Sequence, residues 1–426
     1  MTTNRRQFIK QSLTAVGTGL VAPRIFFSAV RARSPQANPD RRVLVVIELS
    51  GGNDGLNTLI PYTDSRYFAL RPTLGFKDTE LKDAQGNSTI ISNQFGLHPS
   101  MGKLKQLYDA GKVAIVRGVG YPDPSGSHFE SADIWHAGET SQVRLDGWLG
   151  RYADQALAGR PGLTAIAVDD RLPKTLLSSQ VVIPSVPSFQ DYGVQTDEDF
   201  SDNRANKLNA LLALHSRNFA PGSFIGREAQ IGYDAVNGSI QFQSALQGYT
   251  SAAQYPDNNG LADGLKMLAQ VITTIPEVSL LYLQTGGYDT HSDQIANNNK
   301  LTGQHAGLLQ DFSDAVDAFH RDLAGHQLAD KVIIFQWSEF GRRPGENASH
   351  GTDHGAASSI FVIGDAVRGG LYGQQPSLAA TELDDAGNPK FKVDFRSVYA
   401  TILNKWLGGD PRQVLGGDFE NVGFLG

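Results

Sequence analysis

RVLVVIELSGGNDGLNTLIPY, residues 42–62, decides how the rest of the chain is read. Val43 to Leu49 is an aliphatic, largely β-branched run broken only by Glu48, and it stops abruptly at Ser50-Gly51-Gly52-Asn53-Asp54-Gly55. A continuous apolar run that collapses into a tight polar loop is the pattern of a strand buried on both faces. The loop itself has two readings. Asn, Asp and Gly are ordinary turn residues, whereas a carboxylate just past the C-terminal end of a core strand stands where α/β sheets bind their ligands.

Further along, strand and helix patterns alternate. Residues 99–110 are helical, with Leu104, Leu107 and Tyr108 on one face and Gly111 as the stop, and they lead into a strand at 113–117. Next come a helix at 127–136 and a strand at 164–168, then three helical patterns within 201–275, of which 260–274 is the clearest. Strands at 278–283, 332–337 and 359–363 and helices at 301–323 and 395–407 complete the series. Continuously apolar strands alternating with helices predict a three-layer α/β/α fold around a mainly parallel central sheet. No internal repeat, coiled coil or low-complexity tract interrupts it. The expected organisation is an export signal at 1–32, a polar tail at 33–41 and one domain at 42–426, with 201–275 as a helical insertion or cap.

The N-terminus carries that signal. Asn4-Arg5-Arg6-Gln7-Phe8-Ile9-Lys10 has the twin-arginine order, Ser12 to Ala22 supplies a short, weakly apolar stretch, and Val30-Arg31-Ala32 offers a small-residue cleavage site. The stretch is too short for a stable membrane span. The expected destination is the periplasm or the exterior, and the expected partner in transit is the twin-arginine translocase. Removing residues 1–32 takes away five basic residues and no acidic ones, so the formal charge moves from −7 to −12. A chain this acidic has no electrostatic footprint for nucleic acid.

Among 426 residues there is no cysteine. Disulfides, thiolate nucleophiles and thiolate metal sites are therefore excluded, and any metal must be held by Asp, Glu, His or Asn. The residues just past each strand are informative. After 278–283 comes Thr285-Gly286-Gly287-Tyr288-Asp289-Thr290-His291, and after 332–337 comes Ser338-Glu339-Phe340-Gly341-Arg342-Arg343. His350-Gly351-Thr352-Asp353-His354 leads into the next strand. With the opening loop, these segments suggest that Asp54, Asp289, His291, Glu339 and His354 share one site. Asp289 and His291, two apart, point the same way from extended backbone. Carboxylates and imidazoles without sulfur suit zinc, manganese, magnesium, calcium or iron, as one ion or two. Arg342 and Arg343 are placed to clamp the oxygens of an anion. His305, His320 and His326, in or near a long helix, read as core or surface histidines.

SGGNDG, SHF with DIW, GGYDTH, SEFGRR, GTDHG and the closing DFRSVYATILNKWLG, in this order behind a twin-arginine signal, resemble an exported bacterial family, the domain-of-unknown-function family numbered fifteen-oh-one. The resemblance implies membership of the alkaline phosphatase-like superfamily of phosphatases, sulfatases and cofactor-independent phosphoglycerate mutases, with a two-metal-type site. It implies that Asp54, or its neighbour Asn53, is the metal-touching residue after the first strand, that Asp289 and His291 form the Asp-His pair, and that His354 is the last histidine. Glu339-Phe340 departs from the usual Asp-His pair, so His350, Asp353 or His354 would have to replace the missing ligand. The nucleophile implied is a Ser or Thr at a helix N-terminus. Ser127 fits, with Thr58 as runner-up, although Ser127-His128-Phe129-Glu130 is also a capping box. Formylglycine chemistry needs a Cys, or a Ser within S-x-P-x-R, and neither occurs. The expected function is metal-dependent hydrolysis of small phosphate or sulfate esters. The alternative is a non-catalytic member of the same fold that binds or assembles with a partner.

Overall fold

The computed structural model describes residues 40–141, 143–160, 162–188, 201–217, 219–220 and 223–426. The export signal at 1–32 and most of the tail at 33–41 lie outside these residues. The chain falls into two compact units, the larger running over Arg41–Tyr192 and Gln241–Gly426, the smaller including Gly193–Ile240.

In the larger unit the sheet strands are β1 (Val43–Leu49), β2 (Val113–Gly120), β3 (Ala165–Val168), β4 (Leu280–Thr285), β5 (Val332–Trp337), β6 (Ser358–Ile363), β7 (Gly370–Gly373) and β8 (Val393–Asp394). Their order is β7-β2-β6-β5-β1-β4-β3, with β8 beside β2. β1 lies inside the sheet, parallel to β4 and β5, with Val45 level with Leu281 and Ile334. β3 runs parallel to β4, and β7 and β8 run parallel to β2. Only β6 is reversed, antiparallel to both β2 and β5. The sheet is thus mainly parallel, as expected.

Every residue of β1 is buried. Because alternate side chains face opposite ways, Val43, Val45 and Ile47 join Leu104, Leu265 and Phe312 in one core. These come from helices α1 (Gly102–Asp109), α4 (Gly260–Thr274) and α5 (Gln304–Gly325). Leu44 and Val46 join Trp135, Trp148 and Tyr399 in a second core on the other face. That layer is α2 (His128–Ala137), α3 (Trp148–Ala156) and α6 (Phe395–Thr401). Helices therefore cover both faces, giving the three layers. Stacked rings pin the second layer to the sheet: Trp135 lies on Trp337 with centroids 5.2 Å apart, and Trp148 on Tyr399 at 4.2 Å. Trp135 thereby anchors α2, whose N-terminus faces the strand ends.

Of the three helices read within 201–275, α4 packs on the sheet. Ser201–His215 and the start of Phe224–Gly248 belong to the smaller unit. The closing helix also differs from expectation. It is α-helical to Thr401 and then π-helical over Ile402–Leu407, ending at Gly408 with φ 70°. Among the described residues no helix is long and apolar enough to cross a membrane.

Glu48, the one polar residue of β1, faces the second core and is fully buried. Tyr282 donates its hydroxyl to Glu48, Gln284 Nε2 donates at 3.1 Å, and His136 Nε2 lies 3.2 Å away. Burial lifts the Glu48 carboxyl to about 8, with Glu339 and Asp169 adding to the rise against the hydrogen bonds of Tyr282 and Gln284. Burial likewise holds His136 down to about 4, so the proton stays on Glu48. A carboxyl raised in the folded state contributes stability below its usual value of 4.5 and loses it as pH rises through about 8. Glu48→Gln, which cannot ionise, should therefore gain on the wild type between pH 5 and 9. Urea unfolding across that range checks this, and a stability difference that stays flat with pH would contradict it.

Candidate metal centre

The C-terminal ends of β1, β2, β4 and β5 open on one edge of the sheet, and four segments converge there. The Gly51–Gly55 loop follows β1, α2 follows β2, the Asp289 loop follows β4 and Glu339 follows β5. The glycines make this close approach feasible. Gly51 has φ 121°, and a Cβ on it would lie 2.4 Å from the Asp289 backbone nitrogen. A Cβ on Gly52, φ 72°, would lie 2.2 Å from the Phe340 ring.

Asp289 is the hub. Its Oδ1 is 3.1 Å from His354 Nε2 and 3.2 Å from His291 Nε2, and its Oδ2 is 3.4 Å from His128 Nε2. Donor atoms of His128, Asp289 and His354 all lie within 4.8 Å of one another, a group that could hold a metal ion. His291 Nε2 sits 2.8 Å from His354 Nε2.

The far side of each ring fixes its tautomer, an assignment made from hydrogen-bond partners. His128 Nδ1 faces Glu339 Oε1 at 2.7 Å, His354 Nδ1 faces the Gly126 carbonyl at 2.8 Å, and His291 Nδ1 faces Asp353 Oδ1 at 3.2 Å. Carbonyl and carboxylate oxygens only accept, so each Nδ1 donates, and in a neutral ring the Nε2 presents its lone pair toward Asp289. His128 Nε2 is buried without a hydrogen-bond partner. Three lone pairs and a carboxylate facing one point are the donor set of a cation. Imidazoles oriented by carboxylate and carbonyl acceptors are the usual support of such a set.

Burial works against the Asp289 charge, but hydrogen bonds from Arg342 and His354 and the charges of Arg342 and His291 hold its pKa at about 2. Phe340 packs its ring on His128 and His354, with centroids 4.8 and 4.7 Å apart, so the residue beside Glu339 supplies a wall where a ligand was expected.

The structure gives other predicted residues different work. Asp54 does not join the group. Its Oδ2 takes Arg71 Nη1 and Gln294 Nε2, both at 2.6 Å, and its Oδ1 caps Gly55–Thr58 through the N–H groups of Leu56 and Asn57. Burial opposes its charge, but Arg71 holds it at about 2. In this geometry Asp54 works as a cap of the turn, paired with Arg71. Asn53 is buried, and its amide is spent on Thr58 and His305, at 2.9 and 3.0 Å. Thr58 is equally enclosed, its hydroxyl donating to the Asp54 carbonyl at 2.8 Å, which removes it as a nucleophile. Glu339 accepts from the Gly51 N–H at 2.8 Å as well as from His128, so it orients His128 and stands back from the centre. Asp353 orients His291 in the same way. His350 contributes its backbone carbonyl, which accepts from Gln294 N–H at 3.2 Å.

Arg342 is no clamp for an external anion. Its side chain is fully buried, with Nε on the Gly52 carbonyl at 2.6 Å, Nη1 on the Thr352 carbonyl at 2.8 Å and Nη2 on Asp289 Oδ1 at 2.5 Å. Ser127 is exposed and is the N-cap of α2, accepting from Glu130 N–H at a long 3.5 Å. Glu130 instead receives the Ser125 hydroxyl at 2.8 Å, so the capping box is only half formed.

Of the residues that sequence reasoning missed, His128 matters most. Its signal lay in the SHF motif, where the Ser127–Glu130 spacing explained the residues as a cap. His305 is a core histidine as expected, and His320 is buried against Asp365 at 2.7 Å.

Fold and site together define a three-layer α/β protein whose strand ends carry a His/Asp/His group of the kind that can hold a metal ion. The chain belongs to the family described as Protein of unknown function (DUF1501), whose model matches residues 41–420. No curated protein matches it. Similar solved structures include Ps i-CgsB in complex with k-i-k-neocarrahexaose, at 11% identity over 89% of this chain and 75% of that chain, TM-score 0.40. A protein in the alkaline phosphatase superfamily from Vibrio parahaemolyticus is similar at 9% identity over 88% and 72%, TM-score 0.35. The C-terminal periplasmic domain of EcEptC from Escherichia coli, in complex with Zn, is similar at 11% identity over 76% and 74%, TM-score 0.32.

Proposed function

We propose that this protein is an exported, metal-dependent hydrolase of phosphate or sulfate esters with an alkaline phosphatase-like fold, and that His128, Asp289 and His354 hold a divalent cation. The observation that carries the reading is the convergence of the bare Nε2 atoms on Asp289. Nitrogen-rich donors favour zinc or a neighbouring transition metal over magnesium or calcium. When bound, such an ion supplies a Lewis acid for an ester oxygen and lowers the pKa of a bound water.

The chain's own groups provide the rest. The N-terminus of α2 offers N–H groups to an anion, and Ser127 stands there between Gly126, which touches His354, and the ligand His128. Its hydroxyl is our candidate nucleophile. His291, fixed through Nδ1 by Asp353, is the candidate proton carrier. Ser127→Ala should abolish ester turnover while costing about 1 kcal/mol as a lost cap. Assay of a panel of phosphomonoesters, phosphodiesters and sulfate esters with added metals tests this beside thermal melting. Retained turnover with a lowered melting temperature would leave Ser127 as a cap only.

Phe340 beside Glu339 carries a second reading, in which the same fold binds or assembles with a partner and the ion is structural. Lack of turnover across the panel, with metal bound, would favour it. We further propose export by the twin-arginine route with a signal at 1–32, the smaller helical unit being an insertion in the domain. Replacing Arg5 and Arg6 with Lys should leave precursor in the cytoplasm, and normal export of that variant would contradict this.

A further inference from the structure

We infer that the centre takes a single ion and that the guanidinium of Arg342 supplies a second, built-in positive charge beside it. This rests on the metal reading above and extends it to the number of ions. The first ground is a count of free donors. The carboxylates that a second ion would draw on are engaged by the chain's own donors at one oxygen or both. Asp54 is sealed against Arg71, and both side chains are 0% exposed. Glu339 Oε1 is shared by the Gly51 N–H and His128, and its Oε2 accepts from Ser338 Oγ at 3.1 Å. Asp353 is engaged at Oδ1, by Asn347 Nδ2 at 3.1 Å and by His291 Nδ1 at 3.2 Å. Around Asp289, among the described residues, the lone pairs that no donor meets are those of its own Oδ2 and of the facing Nε2 atoms, one cluster suited to one ion.

The second ground is what surrounds Arg342. The carbonyls of Gly51, Gly52, Tyr288 and Thr352, with Asp289 Oδ1, all point at its guanidinium. Several carbonyls and a carboxylate around one centre are the oxygen cage that a hard divalent cation prefers. Here the cage is filled by a side chain that remains charged at any relevant pH. Arg342 therefore neutralises the inner side of Asp289 permanently, while the ion is placed on the imidazole side. It acts as a positioning residue, since its donors are turned inward.

Metal analysis of wild-type protein equilibrated with excess zinc and then freed of loosely bound ion tests this. About one equivalent is expected. Two equivalents would overturn the single-ion inference and leave the metal reading standing, whereas none would overturn the metal reading itself. Arg342→Lys, which keeps a charge without the planar fork, should also stay at one, and a rise to two would contradict the surrogate role. Arg342→Ala, where it folds, should take up a second equivalent in millimolar magnesium or manganese. Folded Arg342→Ala that stays at one would likewise count against it.

Discussion

Arg71→Met should destabilise the protein by about 3–5 kcal/mol, the cost of stranding one member of a buried ion pair. Arg71 and Asp54 are both 0% exposed on their side chains, 2.6 Å apart. Arg71 also ties the Asp54 turn to the Arg342–Glu346 segment, through Pro344 O at 2.8 Å and Arg343 O at 3.1 Å. Its loss leaves a carboxylate in a dry interior with Gln294 and two backbone N–H groups as its remaining support. With typical domain stabilities of about 5–15 kcal/mol, the effect is a large fraction of the whole. The pH dependence arises from Asp54. Its pKa in the folded wild type, about 2, lies below the usual 3.8, so it contributes stability above that usual value and loses it as pH falls toward 2. Arg71→Met should lack this acid-side loss and should instead weaken as pH rises and Asp54 is forced to ionise. Adding Asp54→Asn should restore part of the deficit. Urea unfolding at pH 4 and pH 7 reads both effects, and a deficit under about 1 kcal/mol at pH 7 would contradict the account.

The second large effect concerns Asp289. Asp289→Asn should lose most of the bound metal, because a neutral amide is a poorer ligand than a carboxylate. If the ion that His128, Asp289 and His354 would hold supplies the Lewis acid of the proposed hydrolysis, its loss would remove several kcal/mol of transition-state stabilisation, and turnover should fall at least ~100-fold. The substitution also leaves Arg342 Nη2 without its anionic partner, though the Gly51 and Tyr288 carbonyls still accept from it. Near-normal metal content in Asp289→Asn would contradict its role as the hub.

How far the sequence revealed all this varies with the physics of each element. β1 and β5 were legible to the residue, because strands buried on both faces are written as continuous apolar runs. β7, Gly370–Gly373, is half-buried at the sheet edge and carries two glycines, so neither alternation nor an apolar run announces it. The turn into the π-helical end at Ile402–Leu407 keeps the hydrophobic pattern of an ordinary helix and changes only its hydrogen bonding. In the site, Asp289, His291 and His354 were legible because their motifs lie directly before or after core strands. Asp54 looked equivalent by that rule. Its true partner, Arg71, lies 17 residues on, at the C-cap of Ser65–Leu70, in no motif. A residue that neutralises a carboxylate from outside its motif is invisible to pattern reading. His128 was hidden for the opposite reason, since the spacing around it already had a sufficient explanation as a helix cap. Arg342 was singled out as an anion clamp, but nothing in SEFGRR tells whether a guanidinium turns inward or toward solvent.

The central claim, that the imidazoles around Asp289 hold a divalent cation, is tested most directly by the melting temperature of chelator-treated protein titrated with zinc. An ion that binds only the folded state stabilises it by about 2.7 kcal/mol at a hundredfold excess over its Kd. The melting temperature should therefore fall on chelation and rise again with zinc in the wild type, but stay unresponsive in His128→Ala and Asp289→Asn. A wild-type protein whose melting temperature is indifferent to chelation and to added zinc, manganese, magnesium and calcium would contradict the claim, leaving these residues as a proton-sharing polar cluster.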